Sequence, residues 1–219
     1  LVENVTSWPD LWQKQNFHGA VLGTALNVGD ARFWPRWLLM FGLALGTTAV
    51  WLVFDAAWFA GRESAEYRAW AGGFGLRLYT LGAAWFATAG SWYVFLAWPA
   101  GVRQAMFAWP WVILTVATAI APGLPWLLLW RSARHEGRPA RARASLVALA
   151  QLGVLGMNAV SRTLVQKLEL RPYLDLSRQP VATQWSPMIV FLTSFVLGLA
   201  IVAWIIAQVA RLPTEAEKA

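Results

Sequence analysis

The sequence predicts an all-α, polytopic integral membrane protein of about five transmembrane helices plus a short amino-terminal interfacial helix. Three observations carry that prediction. Apolar residues make up 58% of the chain and charged residues 13%, which with a mean hydropathy of +0.47 leaves more apolar surface than a soluble core of this size hides. The nearly uncharged stretches run roughly 18 to 29 residues, enough to cross about 30 Å of hydrocarbon as helices. Between two of them lies Arg131–Arg143, RSARHEGRPARAR, a polar connector with five arginines and one acid of the kind that sets how a chain threads.

In order, residues 1–36 are amphipathic. SWPDLW reads as a helix entry, with Ser7 as N-cap and Pro9 and Asp10 in the first turn. Phe17–Leu26 carries His18 and is too short to span, so it reads as interfacial or re-entrant. Trp34, Arg36 and Trp37 form an aromatic and cationic interface anchor before the first span, at 37–60, in which Gly42 and Gly46 make a small-xxx-small pair. A polar connector leads to the second span, 72–98, whose far end is crowded by Trp92, Tyr93 and Trp98. The third, 102–130, holds Pro110 near its start and Pro122, Gly123 and Pro125 late, which predicts a kinked or unwound last third. The fourth, 144–161, is the least hydrophobic, with Gly153 and Gly156 expected to pack tightly. A long loop then leads to the fifth and cleanest span, 188–210, and residues 212–219 read as a solvated tail. The chain opens on Leu with no charged-apolar-small leader, consistent with a processed start or with part of a longer polypeptide.

Sidedness follows from Lys and Arg outside the spans. One face collects Lys14, Arg32, Arg36, Arg103, Arg162, Lys167, Arg171 and Arg178; the other collects Arg62, Arg68, the five connector arginines, Arg211 and Lys218. The totals nearly tie, but the dense connector 131–143 is expected in the cytoplasm. The amino-terminal region and the loop before Met188 then share the outer face, where soluble redox carriers would dock. A pI near 10.6 would point to nucleic acid in a soluble chain; with the arginines in short connectors it points to anionic headgroups, and no nucleic-acid partner is expected.

Several chemistries are excluded by residue type. There is no cysteine, so the chain offers no disulfide, no Cys-attached haem and no thiolate-bound cluster. No phosphate-cradling glycine loop, HExxH or cluster of metal-binding acids appears. A bis-histidine haem needs two imidazoles at membrane depth, but only His18 lies near an apolar segment and His135 is in the connector. No metal or cofactor held by this chain alone is expected. His18 is a satisfied interfacial histidine, a single ligand, or a quinol partner with a proton to relay.

Ionisable groups within spans are costly unless paired or wet. Asp55 near the end of the first span and Arg77 near the start of the second reach the same depth in an antiparallel pair. They are expected to pair, either as a structural bridge that fixes register or as part of a proton path or quinone-headgroup site. Gln151, Asn158 and Arg162 lie seven and four residues apart, on one helical face. That stripe either bonds neighbouring helices or faces a cavity that admits a polar headgroup.

Two stretches carry a resemblance. GDARFWPRWLLMFGLALGTTAVWLVFDAAW, from Gly29, resembles a turn followed by FWP and a basic residue entering a span in bacterial membrane proteins related to cytochrome bd subunit I. NAVSRTLVQKLELRPYLDL, from Asn158, followed by QWSP and a clean span, is similar to the carboxy-terminal part of the same group. The resemblance implies the later, haem-poor spans of a quinol-oxidising complex that works with c-type cytochromes; it carries over no haem ligand.

The expected function is therefore a non-catalytic or quinol-contacting subunit of a respiratory or photosynthetic electron-transfer complex in a bacterial inner membrane. Its partners would be other membrane subunits, c-type cytochromes and lipids, with quinone or quinol as the small molecule and haem confined to partner subunits. The candidate quinone or proton residues are His18, Asp55, Arg77, Gln151, Asn158 and Arg162. The alternatives are a transporter or channel subunit, favoured by the broken third span, and an assembly or scaffold protein without ligand.

Overall fold

The computed structural model describes residues 31–59, 65–135, 140–171 and 185–210, which are helical apart from short turns, with no strand among them. The chain divides into two units, Leu1–Leu176 and Ser177–Ala219. The first unit holds α1 (Phe33–Trp58), α2 (Ala65–Trp92) with a π-helical extension at Tyr93–Ala97, α3 (Ala100–Phe107), α4 (Trp111–Ile120), α5 (Gly123–His135) and α6 (Arg141–Leu170). The second contributes α7 (Trp185–Ala210), which contains no charged residue. Among the described residues, four stretches are long and apolar enough to cross a membrane: Phe33–Trp58, Trp111–Arg134, Arg141–Leu170 and Trp185–Gln208. They mark a membrane-embedded chain. α2, expected as the second span, is long enough at 28 residues but less apolar, because Glu66, Arg68, Arg77 and its glycines dilute it. The expected interfacial helix lies outside the described residues.

Glycines set the core of the first unit. A Cβ on Gly42 would lie 2.8 Å from the Phe86 nitrogen, and one on Gly82 would lie 2.8 Å from the Gly46 nitrogen and 2.9 Å from the Gly42 carbonyl. The backbones of α1 and α2 thus touch where the small-xxx-small pair predicts close approach. Gly75 meets Val53 and Ala49 in the same antiparallel register. Beside this seam, Ala49, Val50, Val53, Tyr79, Leu129 and Val147 form a buried cluster drawn from α1, α2, α5 and α6. Gly153 and Gly156 depart from expectation: neither meets another described residue within 4 Å of where its Cβ would stand. The close seam is between α1 and α2, and α6 packs on it through Val147, Gln151 and Val154 instead.

The third apolar stretch is divided differently from the expected 102–130. α3 is a separate short helix, Ala108 is extended, and the spanning stretch begins at Trp111. Proline explains the break, since it disfavours helical geometry in the residue before it and Pro110 has no N–H to donate. Around Pro122 the chain is bridged: Ala121 donates to the Ala117 carbonyl at 2.9 Å, Leu124 to Ala121 at 3.1 Å and Trp126 to Pro122 at 3.3 Å. The expected kink region is a hydrogen-bonded turn, not an open strand of backbone.

α6 runs to Leu170, nine residues past the expected end at Ser161. Arg162, Lys167 and Glu169 read as an exit from hydrocarbon, but leaving lipid does not end a helix. Val165, Leu164 and Leu168 pack on Trp98, Val102 and Met106 beyond that point, and Pro172 stands where continuation would require a backbone donor. At the same end Arg32 and Glu169 approach to 3.6 Å. The opposite end carries aromatic and cationic contacts, with the Arg134 guanidinium 4.0 Å from the Trp130 ring centroid and Arg141 5.4 Å from that of Trp58.

Candidate functional site

Polar side chains at mid-height of the bundle form a chain of hydrogen bonds. The Tyr79 hydroxyl donates to Gln151 Oε1 at 2.9 Å, the Gln151 amide donates to Thr47 Oγ1 at 3.1 Å, and Thr47 donates to the Leu43 carbonyl at 2.8 Å. Tyr79 is 1% exposed and Gln151 3%. A buried amide must find partners or pay for desolvation; here it ties α1, α2 and α6 together. Gln151 is therefore an interhelical link, one of the two roles the sequence leaves open for this stripe.

Toward the Arg32 end the same face of α6 opens onto a cleft. Its walls come from α1, the end of α2 with its π-helical extension, α3, α4 and α6, and its volume is about 280 Å³. Leu39, Met40, Phe86, Val94, Phe107 and Val116 give it an apolar body. Arg36, Ser161 and Arg162, with Asn158 about one turn deeper, supply polarity. α1 and α6 run antiparallel, with Arg32 against Glu169 and Thr47 against Gln151. That register sets Arg36 and Arg162 within roughly 3 Å of the same height, given about 1.5 Å of rise per residue. No Asp, Glu or His is among the described lining residues.

The shape of the cleft depends on the end of α2. After Trp92 the helix widens into a π turn, closed by Trp98 N–H donating to the Tyr93 carbonyl at 3.0 Å. Pro99 has no N–H for the Phe95 carbonyl, and the Arg103 guanidinium takes that acceptor at 2.8 Å. The Trp98 ring, 6% exposed, is thereby seated in the cleft wall. Its indole N–H is buried and has no acceptor among the described residues. π turns recur at functional sites because they re-aim the side chains that follow.

The remaining sequence candidates lie elsewhere. The expected ion pair between Asp55 and Arg77 is not formed among the described residues; instead the Asp55 carboxylate accepts the Tyr67 hydroxyl at 2.8 Å. The glycine contacts give the reason, for with Gly75 between Ala49 and Val53 and Gly82 between Gly42 and Gly46, Arg77 is level with Ala49. That is about 9 Å along α1 from Asp55 at ~1.5 Å per residue. Arg77 is exposed on the outer side of α2. His18 lies outside the described residues, as does the His135 side chain. Among the described residues no group of three or more His, Cys, Asp or Glu side chains gathers where a metal ion could sit.

The cleft thus brings together Asn158 and Arg162 from the predicted set and adds Arg36, Tyr93 and Trp98. Arg36 reads in sequence only as an interface anchor, and the crowding of Trp92, Tyr93 and Trp98 only as a belt. The signal for more was Trp98-Pro99, which stops a helix where a carbonyl needs another donor. No family model, curated protein or solved structure matches this chain.

Proposed function

We propose that this chain is a non-catalytic membrane subunit of a bacterial electron-transfer complex that anchors redox subunits and holds an amphiphile in the cleft at its Arg36 end. The observation that carries the ligand part is the cleft: an apolar trough with Arg36, Asn158 and Arg162 where a polar head would sit. A few polar groups placed in an apolar pocket fix the orientation of a ligand, and ionisable groups at membrane depth mark ligand or ion sites. Quinol is one such amphiphile, and the Asn158 amide and Arg162 guanidinium would donate to its ring oxygens. The described lining offers no carboxylate or imidazole to take a proton, so the chain's part is to hold and orient, with oxidation left to partner subunits.

In this reading α2 is the second of five spans, lying antiparallel against α1 along the seam from Gly75 to Phe86. The connector 131–143 faces the cytoplasm of an inner membrane. Arg32 and Glu169 bring the entry to α1 and the exit from α6 together; with the connector inside, that end would face outward, where cytochrome subunits would dock. The electron-transfer context rests on the resemblance of the FWPRW and RTLVQKLELRPYLDL stretches. A transporter gains no support from the third stretch, whose turn at Pro122 is bridged by hydrogen bonds.

The test is purification of the native complex through a tag on this chain, followed by visible spectroscopy and extraction of bound amphiphiles. Haem-bearing partners and a retained quinone or lipid are the expected result. A chain that purifies without haem proteins and drives solute uptake in proteoliposomes would replace this reading with the transporter one.

A further inference from the structure

Resting on the reading of α2 as one of five spans in a multi-subunit complex, we infer a docking site on the face of α2 turned away from α1. Its occupant is a transmembrane helix of a different subunit, with an Asp or Glu carboxylate at the depth of Arg77. Depth is the first argument. The α1–α2 seam sets Arg77 level with Ala49, about 13 Å along the axis from Trp58 and about 18 Å from Trp37 at ~1.5 Å per residue. Long basic side chains snorkel to the interface from near helix ends, and this one starts near mid-span. The residues that pack α2 on the bundle, Ala71, Gly75, Tyr79, Gly82 and Phe86, lie on the other side of the helix, so Arg77 points outward and is exposed. An ionised group at that depth is costly unless it is paired.

Charge is the second, and it selects the occupant. Among the described residues the acids are Asp55, Glu66 and Glu169. Asp55 accepts the Tyr67 hydroxyl and Glu169 lies against Arg32. Glu66 is in the first turn of α2, about 16 Å along the axis from Arg77. α7, with no charged residue, has no anion to offer. A second copy docked through this face about a two-fold axis along the membrane normal would set Arg77 against Arg77. A carboxylate from another polypeptide fits, because it accepts a guanidinium through paired N–H bonds. Space is the third. Gly73, Ala84 and Thr88 lie within about 40° of Arg77 around the helix, at ~100° per residue. All three are exposed, and a Cβ on Gly73 would meet nothing described within 4 Å. Small residues on either side of the charge let a partner backbone come close enough for a short acidic side chain to reach it.

The experiment uses the full chain in its native membranes, with p-benzoylphenylalanine as the photoprobe in place of Leu81, which is exposed one turn from Arg77. Irradiation is expected to join it to one polypeptide other than this chain. Peptide mass spectrometry should place the join in an apolar helix, with an Asp or Glu within one turn of it. Arg77→Gln should cut the yield of that product, and the partner's retention on a tag carried by this chain, roughly 100-fold, as when one member of a buried ion pair is removed. Arg77→Lys should keep most of both, and Arg77→Asp combined with the partner's acid changed to Arg should restore them. The detergent-purified chain should unfold at the same temperature with and without Arg77→Gln; a lowered temperature would give Arg77 a partner inside the chain and overturn the inference. A join only to lipid, to a second copy or within this chain, a partner helix without an acid, or retention that survives Arg77→Gln also overturns it. Where haem proteins still co-purify in those cases, the electron-transfer reading stands. The chain has no cysteine, so Arg77→Cys tests the premise: rapid labelling by a membrane-impermeant maleimide would put the residue in water and remove both α2 as a span and the docking face. A chain that purifies with no other polypeptide removes the inference and the multi-subunit reading together.

Discussion

Tyr79 and Gln151, 72 residues apart in sequence, meet in a 2.9 Å hydrogen bond inside the bundle. Gln151 passes the link on to Thr47, so one amide holds three helices in a single register. Membrane hydrogen bonds of this sort contribute about 0.6 kcal/mol on average and up to roughly 1.7. We expect Tyr79→Phe and Gln151→Leu each to cost about 1–2 kcal/mol, since each leaves a buried group unpaired. Their double variant should cost less than the sum, and detergent-unfolding measurements on the four proteins give that coupling directly.

The α1–α2 seam predicts a sharp asymmetry among glycines. Gly82→Ala places a Cβ under 3 Å from the α1 backbone, where no flexible side chain can yield, and should cost about 1–3 kcal/mol. Gly153→Ala and Gly156→Ala meet nothing described within 4 Å and should stay within about 0.5 kcal/mol of the parent. Thermal unfolding of the three variants in one detergent is the check.

Asp55 is tied to Tyr67, not to Arg77. Asp55→Asn and Arg77→Gln should therefore be additive within about 0.5 kcal/mol, while Asp55→Asn and Tyr67→Phe should couple. Strong coupling of Asp55 to Arg77 in the same unfolding assay would show that the register drawn from Gly75 and Gly82 is wrong.

The cleft can be filled without touching its polar end. Ala119 lines it and is exposed, so Ala119→Trp should place an indole in the trough with a stability change under about 1 kcal/mol. Labelling by a hydrophobic photoreactive probe at neighbouring Met40 and Val116 should fall, as mapped by peptide mass spectrometry. Unchanged labelling would mean the probe enters by another path.

Much of this was readable from residue types alone. Long uncharged stretches predict the helices, and Gly42 and Gly46 predict a close seam, because lipid leaves the backbone few options and small residues permit approach. The 151–158–162 stripe predicts one polar face on α6. What escaped depends on how two helices slide past each other. A shift of six residues separates Asp55 from Arg77, and it is fixed by contacts at Gly75 and Gly82 that no pattern within either helix records. The stripe also divides where α1 and α2 cease to close over it: Gln151 is buried as a link, while Asn158 and Arg162 face the cleft. The end of α6 was misplaced because charge marks the edge of lipid, whereas a helix stops when its backbone donors run out.

The turn at Tyr93–Ala97 holds more residues per coil than the helix it extends. Excising one of them would let the coil tighten to ordinary pitch and swing everything after it by about 100°. Trp98 would leave the wall and Arg103 would lose its carbonyl, with no lining residue of α1 or α6 altered. In this protein the length of a five-residue segment, as much as its chemistry, decides whether there is a cavity at all.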